Sequence, residues 1–345
     1  MKYVLTLLFF LGYITVTSDA GNKGDRGVVC FVYHRVGDTR YPSTNISISD
    51  FEAHLRYLIS ENFQLLTLSE AIAYVRSDRP QQKTAVITID DGYKSFFKNG
   101  LPLLKKYKIP ATLFINTKTV GAGDFMDWQQ LQEALKYNIE IGNHTHSHRY
   151  FLNEPLATRY QIFQKEIEDS QATIKEKLNV APLVFSYPYG EFDRKMISIV
   201  RDAGFDGAAA QNSGVFNEHS DLFLIPRFPM AENYSAKSKF VEKSEMRALN
   251  VLHVSPENNL IGKDFKPLLK LTIDKKDILQ DKFQCFVQGG SCEFKVTGQT
   301  ENEVVLTLRS GQPLHRRRTL YTLTVQGKNG AWYWYSYLWV NPAIR

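Results

Sequence analysis

Three of the eight histidines fall within five residues, His144-Thr145-His146-Ser147-His148, directly after a short apolar run at 139–142. If that segment makes one turn, His144 and His148 stand at i and i+4 and point the same way. Two neutral imidazoles so paired suit a borderline divalent ion such as zinc. The plain alternative is a solvated loop rich in histidine. A second candidate is Thr88-Ile89-Asp90-Asp91-Gly92, where two adjacent carboxylates end an otherwise apolar stretch. Like charges there cost stability unless a cation or a shared proton compensates. Adjacent residues at a strand end point in different directions, so one could bind a metal while the other faces a substrate. The alternative is an ordinary Asp-Gly turn. Tyr187-Pro188-Tyr189-Gly190 could hold a backbone N–H in the fixed direction an oxyanion donor needs, or be a simple β-turn. Tyr33-His34-Arg35 follows a fourth apolar run, and a lone histidine there is a proton-transfer group or a structural one.

The elements that must position these groups alternate. Strand-like runs at 28–33, 65–67, 85–89, 111–115, 139–142, 183–187 and 206–210 are interleaved with helical patterns. The helical patterns fall at 51–58 (with a capping box expected from Ser49 to Glu52), 69–75, 96–107, 127–137, 156–178, 193–203 and 235–247. About seven βα units predict an α/β fold, a parallel sheet curled into a distorted (β/α)7 barrel, with chemistry at the C-terminal ends of its strands. All four candidate motifs follow strands directly, so the barrel rule predicts that they converge. From about residue 250 the texture changes to strand-like runs separated by polar turns, which predicts a smaller, sandwich-like all-β domain. The expected division is a signal peptide at 1–20, the barrel domain at 21–248 and the β domain at 249–345. Within the last, 332–339 (WYWYSYLW) alternates, placing Trp332, Trp334, Ser336 and Leu338 on one face and Tyr333, Tyr335, Tyr337 and Trp339 on the other. One face is expected in a core; the other covers a domain interface or stacks on sugar rings.

Composition narrows the class. The 345 residues are 43% hydrophobic and 23% charged, an ordinary packed protein rather than a disordered chain. Forty-two Lys and Arg against 36 Asp and Glu give a net charge of +6. The charges are scattered apart from Arg316-Arg317-Arg318. A nucleic-acid partner is therefore not expected, while a polyanionic or cell-surface partner stays open. Lys2, the apolar run 4–16 and the small residues Ser18 and Ala20 read as an export signal rather than a lasting membrane span. An exported chain meets an oxidising compartment, so Cys285 and Cys292, which flank the turn Gln288-Gly289-Gly290-Ser291, are expected to pair. Cys30 is left as a buried thiol.

Together the motifs resemble the NodB-type polysaccharide deacetylases, carbohydrate esterase family four. Thr88–Gly92 is similar to the family's T-F-D-D-G, His144–His148 to H-[ST]-x-x-H, and Ser186–Gly190 to R-x-P-Y-G with Ser in place of Arg. More narrowly, the chain is similar to exported deacetylases of poly-β-1,6-N-acetylglucosamine, whose circularly permuted barrel carries a Y-H motif near the N-terminus, here Tyr33-His34. Asp127-Trp128-Gln129-Gln130-Leu131 resembles that subgroup's W-x-Q-L stretch. The resemblance spans roughly residues 28–230. It implies one divalent metal ion, with zinc the expected one, on Asp91, His144 and His148. It further implies Asp90 as general base, the Tyr189 N–H as oxyanion donor and His34 as the acid that protonates the departing amine. The implied partner is an acetylated amino-sugar polysaccharide met in the periplasm, outside the cell or at its surface.

Two features depart from that pattern. Ser186 cannot orient the base as the family's arginine does, and Arg227, in Ile225-Pro226-Arg227-Phe228, is the candidate substitute, unless it is a surface arginine. His253 superficially resembles a late Leu-x-His motif, but it stands at the start of the β region, which favours His34; His146 receives no role. The alternatives kept open are a deacetylase of peptidoglycan or another acetylated sugar polymer, and a non-catalytic carbohydrate-binding protein.

Overall fold

The computed structural model describes residues 27–79 and 82–344. The expected export signal at 1–20 lies outside the described residues. Seven parallel strands form where apolar runs predict them: Val28–Tyr33, Gln64–Leu66, Thr84–Ile89, Ala111–Ile115, Ile139–Asn143, Val184–Ser186 and Gly207–Ala209. The longer ones are buried along their whole length, as strands covered on both faces must be. Val28–Tyr33 pairs with Thr84–Ile89 residue for residue, from Val28↔Thr84 to Tyr33↔Ile89. The order then runs through Ala111–Ile115, Ile139–Asn143 and Val184–Ser186 to Gly207–Ala209. On its other side Val28–Tyr33 takes Val215–Phe216 antiparallel and Phe228–Pro229 parallel. Ile225 bridges Ala209. The stretch 225–229 thus returns from the last parallel strand to the first and curls the sheet into a distorted barrel.

Val28, Cys30, Val86, Phe114, Val184, Ala209 and Ile225 meet in one apolar cluster with the helix Leu68–Val75. Val29, Phe31, Tyr33, Ile87 and Ile89 face the other way, against Phe51, Leu55 and Leu58 of the helix Ile48–Ser60 and against Leu101 and Leu104. That helix starts earlier than expected. Ser47, extended at φ −65° and ψ 151°, accepts from the Asp50 N–H, so the cap is Ser47 and not Ser49. The expected 96–107 helix begins with a π-helical turn at Phe96–Gly100, and the last helix is trimmed to Lys237–Ser244.

The C-terminal region forms two four-stranded sheets. One runs Arg247–Ala248, Trp332–Val340, Arg318–Gln326, Gln284–Val287; the other runs Val251–Ser255, Leu269–Asp274, Glu303–Ser310, Cys292–Gln299. Leu269, Leu271, Ile273, Val304, Leu306, Leu308, Leu323, Val325 and Trp339 fill the space between them. Val251–Ser255 went unrecognised in the sequence because it is half-exposed and its register shifts between Val251 and His253. Cys285 and Cys292 are joined and Cys30 is a buried free thiol, as expected. The bridge does not close a hairpin, however. It ties the edge strand of one sheet to the edge strand of the other.

Both faces of Trp332–Val340 are used in packing. Tyr333, Tyr337 and Trp339 enter the sandwich core, while Leu338 and Val340 join Phe185, Tyr187 and Phe205 of the barrel. Trp334 meets Phe228 edge-on at 5.5 Å between centroids. Its even-numbered face is therefore an interface with the barrel.

Candidate active site

The four strand-end motifs converge at one end of the barrel. Asp91 follows Thr84–Ile89 in a left-handed turn, φ 70°, that Gly92 continues. His144 and His148 follow Ile139–Asn143 through a loop in which Thr145 and His148 also take positive φ, 69° and 50°. Thr145 is held there from both sides. Its N–H donates to Asn143 Oδ1 at 2.8 Å, and its hydroxyl accepts from the His148 N–H at 3.1 Å. Buried Glu166 accepts from the Ser147 N–H and hydroxyl, each at 2.6 Å, and fixes the same loop to the helix Leu156–Leu178. Backbone held this far from its preferred regions is found where surrounding contacts over-determine it.

Asp91 Oδ1 lies 3.6 Å from His144 Nε2 and 3.4 Å from His148 Nε2, and one ligand atom from each of the three falls within 4.8 Å of the others. His144 donates its Nδ1–H to the Ser186 carbonyl at 2.7 Å, which leaves the Nε2 lone pair facing Asp91. Burial, with the neighbouring His144, pushes His148 down to about 4 against the pull of Asp91, so its imidazole is neutral near pH 7, as a ligand must be. One carboxylate and two imidazoles, the second nitrogen of His144 steered by the Ser186 carbonyl and Asp91 Oδ1 by Asn116 Nδ2 at 3.5 Å, fit a divalent ion of the zinc type.

Asp90 turns to Arg227 instead and is fully buried. Arg227, equally buried, donates to both of its oxygens, Nη1 to Oδ1 at 2.7 Å and Nη2 to Oδ2 at 2.8 Å. The remaining guanidinium hydrogens go to the Ala210 carbonyl, the Thr88 hydroxyl and the Ser186 hydroxyl at 2.8, 3.1 and 3.0 Å. Burial alone would push the Asp90 carboxyl up. The Arg227 charge, His144, the two hydrogen bonds and His34 more than offset this and hold it well below the usual carboxylate range. Arg227 is therefore no surface arginine: it stands on Asp90 from the stretch that closes the barrel. Ser186, which replaces the expected arginine, joins the same network through its hydroxyl.

His34 follows Val28–Tyr33, close enough to both Asp90 and His148 for its charge to bear on each. The strand end before it is pinned: the Tyr33 hydroxyl bonds His54 Nδ1 at 3.0 Å and His54 Nε2 meets the Ser235 carbonyl at 2.8 Å. Tyr189, at φ 59°, closes the far side. Its ring lies 4.5 Å from that of His148 and stacks on Tyr150 at 3.6 Å and 4°. Its backbone N–H has no protein partner among the described residues. His146 turns away to the Thr117 hydroxyl at 2.9 Å, and His253 is exposed on Val251–Ser255, paired with Thr272. Sequence reasoning missed Glu166 and Asn143 as supports of the histidine loop; neither is marked by any local pattern.

Residues 77–208 match the family model for polysaccharide deacetylase. The poly-beta-1,6-N-acetyl-D-glucosamine N-deacetylase of Staphylococcus aureus is 25% identical over 213 residues, which cover 59% of this chain and 73% of the relative. Among solved structures, IcaB from Ammonifex degensii is 27% identical with a TM-score of 0.56, covering 63% of this chain and 96% of that one. The Streptococcus pyogenes deacetylase PplD, solved in complex with acetate, shares the fold at a TM-score of 0.59 and 19% identity, covering 64% and 100%. A curled parallel sheet ending in paired Asp and His motifs is the NodB-type architecture, and residues 77–208 carry the polysaccharide deacetylase match within it. The C-terminal β-sheets lie beyond the matched residues.

Proposed function

We propose that the protein removes N-acetyl groups from an N-acetylglucosamine polymer outside the cytoplasm, with poly-β-1,6-N-acetylglucosamine the favoured substrate. The observation that carries the reading is the division of labour between neighbours. Asp91 turns to His144 and His148, while Asp90 turns to Arg227. A divalent ion held by Asp91, His144 and His148, zinc by the chemistry of the donor set, would supply Lewis acidity and a water of lowered pKa. Asp90, kept ionised and oriented by Arg227, takes the proton as the water oxygen bonds to the acetyl carbon. The Tyr189 N–H donates to the oxyanion that results. His34 gives a proton to the sugar nitrogen as the C–N bond breaks. Acetate leaves, and the sugar keeps an amine that is largely protonated at neutral pH.

Substrate preference follows the named activity of the Staphylococcus aureus relative. Export follows from the reading of residues 1–20 as a signal, and with it the division into a deacetylase domain to 248 and an accessory β domain beyond. The helices of the described residues include none long and apolar enough to cross a membrane. The test is acetate release by the zinc-loaded protein across acetylated polymers. Release from poly-β-1,6-N-acetylglucosamine well above that from peptidoglycan supports the reading. Preference for peptidoglycan moves the substrate, and no release from any polymer removes the activity.

A further inference from the structure

The run Arg316-Arg317-Arg318 is the densest charge in the sequence, and two of its three members are spent inside the molecule. Arg317 reaches from the β region to the barrel and clamps buried Glu191, Nε to Oε1 at 2.6 Å and Nη2 to Oε2 at 2.7 Å. Its Nη1 donates to Asn153 Oδ1 at 3.0 Å and to the Ile344 carbonyl at 2.7 Å. Arg317 also lies over the Tyr150 ring, 4.4 Å from its centroid. Arg318, at the start of Arg318–Gln326, donates Nη1 to the Tyr189 carbonyl at 2.5 Å and keeps Nε 3.9 Å from Glu191. Glu191 is two residues beyond Tyr189. Both arginines therefore hold the one turn whose central residue sits at φ 59° and whose ring covers His148.

We infer that Arg318 is a positioning residue for the deacetylation site, supplied by the β region rather than by the deacetylase domain, and that it acts by holding the Tyr189 turn. This rests on the reading of the Tyr189 N–H as the oxyanion donor. A non-glycine residue with positive φ relaxes unless its neighbours over-determine it. Stacking on Tyr150 fixes the Tyr189 ring, and Arg318 fixes the carbonyl. With the ring and the carbonyl held, and the turn closed by the Gly190 N–H on the Tyr187 carbonyl at 2.8 Å, the peptide that carries the Tyr189 N–H is held as well. An oxyanion donor works only when that direction is set before the reaction. Arg317 acts one step further out by holding Glu191 and backing Tyr150. The β region thereby becomes part of the catalytic apparatus, and the basic run is an internal clamp rather than a docking patch for a polyanion.

The test compares full-length Arg318→Ala and Arg318→Lys with the parent chain. The Arg318 side chain is partly exposed and its loss opens no core, so folding is retained. Arg318→Ala is expected to lower kcat for acetate release by about tenfold, with KM within about twofold, because the lost interaction belongs to the transition state. Metal content stays equal, and Arg318→Lys recovers most of the loss. A second readout needs no activity. The amides of Gly190 and Glu191, bonded to the Tyr187 and Pro188 carbonyls at 2.8 and 3.1 Å, exchange faster in Arg318→Ala, while those of Thr84–Ile89 and Leu269–Asp274 do not. Unchanged kcat with unchanged exchange overturns the inference. So does exchange that rises throughout the molecule with a falling melting temperature, since that is a structural role only. Faster exchange confined to the turn, in a protein whose parent releases no acetate, would keep the clamp and remove the deacetylase reading instead.

Discussion

The site end of the barrel and the C-terminal sheets treat their backbones in opposite ways. In the barrel, Asp91, Thr145, His148 and Tyr189 all take positive φ, and all four line one site. In the sheets, Asp277 is the one non-glycine residue to do so among the described residues, and it sits in a turn. The same contrast holds for buried charge. The barrel buries Asp90 with Arg227, and Glu166 beneath the histidine loop, whereas the sandwich core between the sheets is apolar with tyrosine and tryptophan. Left-handed residues and buried ions each cost about 1–3 kcal/mol or more unless their surroundings hold them. One region spends stability on geometry, and the other supplies packing and, through Arg317 and Arg318, rigidity to the first.

The comparison can be broken or sharpened in order of expected effect. Asp90→Asn keeps the shape but can accept from only one of the two Arg227 nitrogens, and it replaces a carboxylate by a far weaker base. Acetate release should fall at least about a hundredfold with metal content unchanged. A variant within a few-fold of the parent would place the base elsewhere. His148→Ala should lose most bound zinc in elemental analysis of purified protein, since two of three ligands hold a divalent ion poorly; equal metal in parent and variant would dissolve the metal assignment. Arg317→Ala leaves Glu191 buried without its bidentate partner. A loss of about 3–5 kcal/mol is expected in denaturant unfolding, appearing in both regions because the pair joins them. A loss confined to the sheets would show that the two regions fold apart.

The smallest effect belongs to the bridge. Cys285→Ser with Cys292→Ser opens a short loop and should cost about 2–3 kcal/mol in the chain-entropy account, leaving acetate release within about twofold. Thiol titration of the unfolded, unreduced parent should find one free thiol, Cys30. Three free thiols in protein taken from its natural compartment would overturn both the bridge and the export reading.

The barrel was legible because its strands are short apolar runs, and each is followed by a helix whose burial repeats every three or four residues. Four polar groups of the site, His34, Asp90, Asp91 and His144, were legible because each stands within two residues of a strand's end, and His148 was legible by its spacing of four from His144. Arg227 left only an indirect trace, the serine at 186 where an arginine was expected. Glu166 and Asn143 left none, since what each does depends on a partner 19 to 24 residues away on another element or on a turn of two residues. The clamp of Arg317 on Glu191 spans 126 residues and crosses between regions. No periodicity carries such a contact. In the C-terminal sheets, alternation found strands with one clean face such as Glu303–Ser310 and failed at Val251–Ser255, where both faces are partly wet.

The stretch 225–229 has a consequence for how the molecule comes into being. It is the closing stave of the barrel, and it carries the guanidinium that Asp90 needs, 137 residues after it in the chain. Contacts so distant in sequence form late, because a long loop must be closed before they repay it. Until then Asp90 has either water or nothing, so the barrel end around it stays open. An emerging chain therefore holds Asp91, His144 and His148 and most of its strands well before Asp90 gains Arg227. Closure and competence arrive as one event. Pulsed exchange during refolding should show the Asp90 amide, bonded to the Tyr33 carbonyl, gaining protection together with that of Met230, bonded to Val32, and not before it.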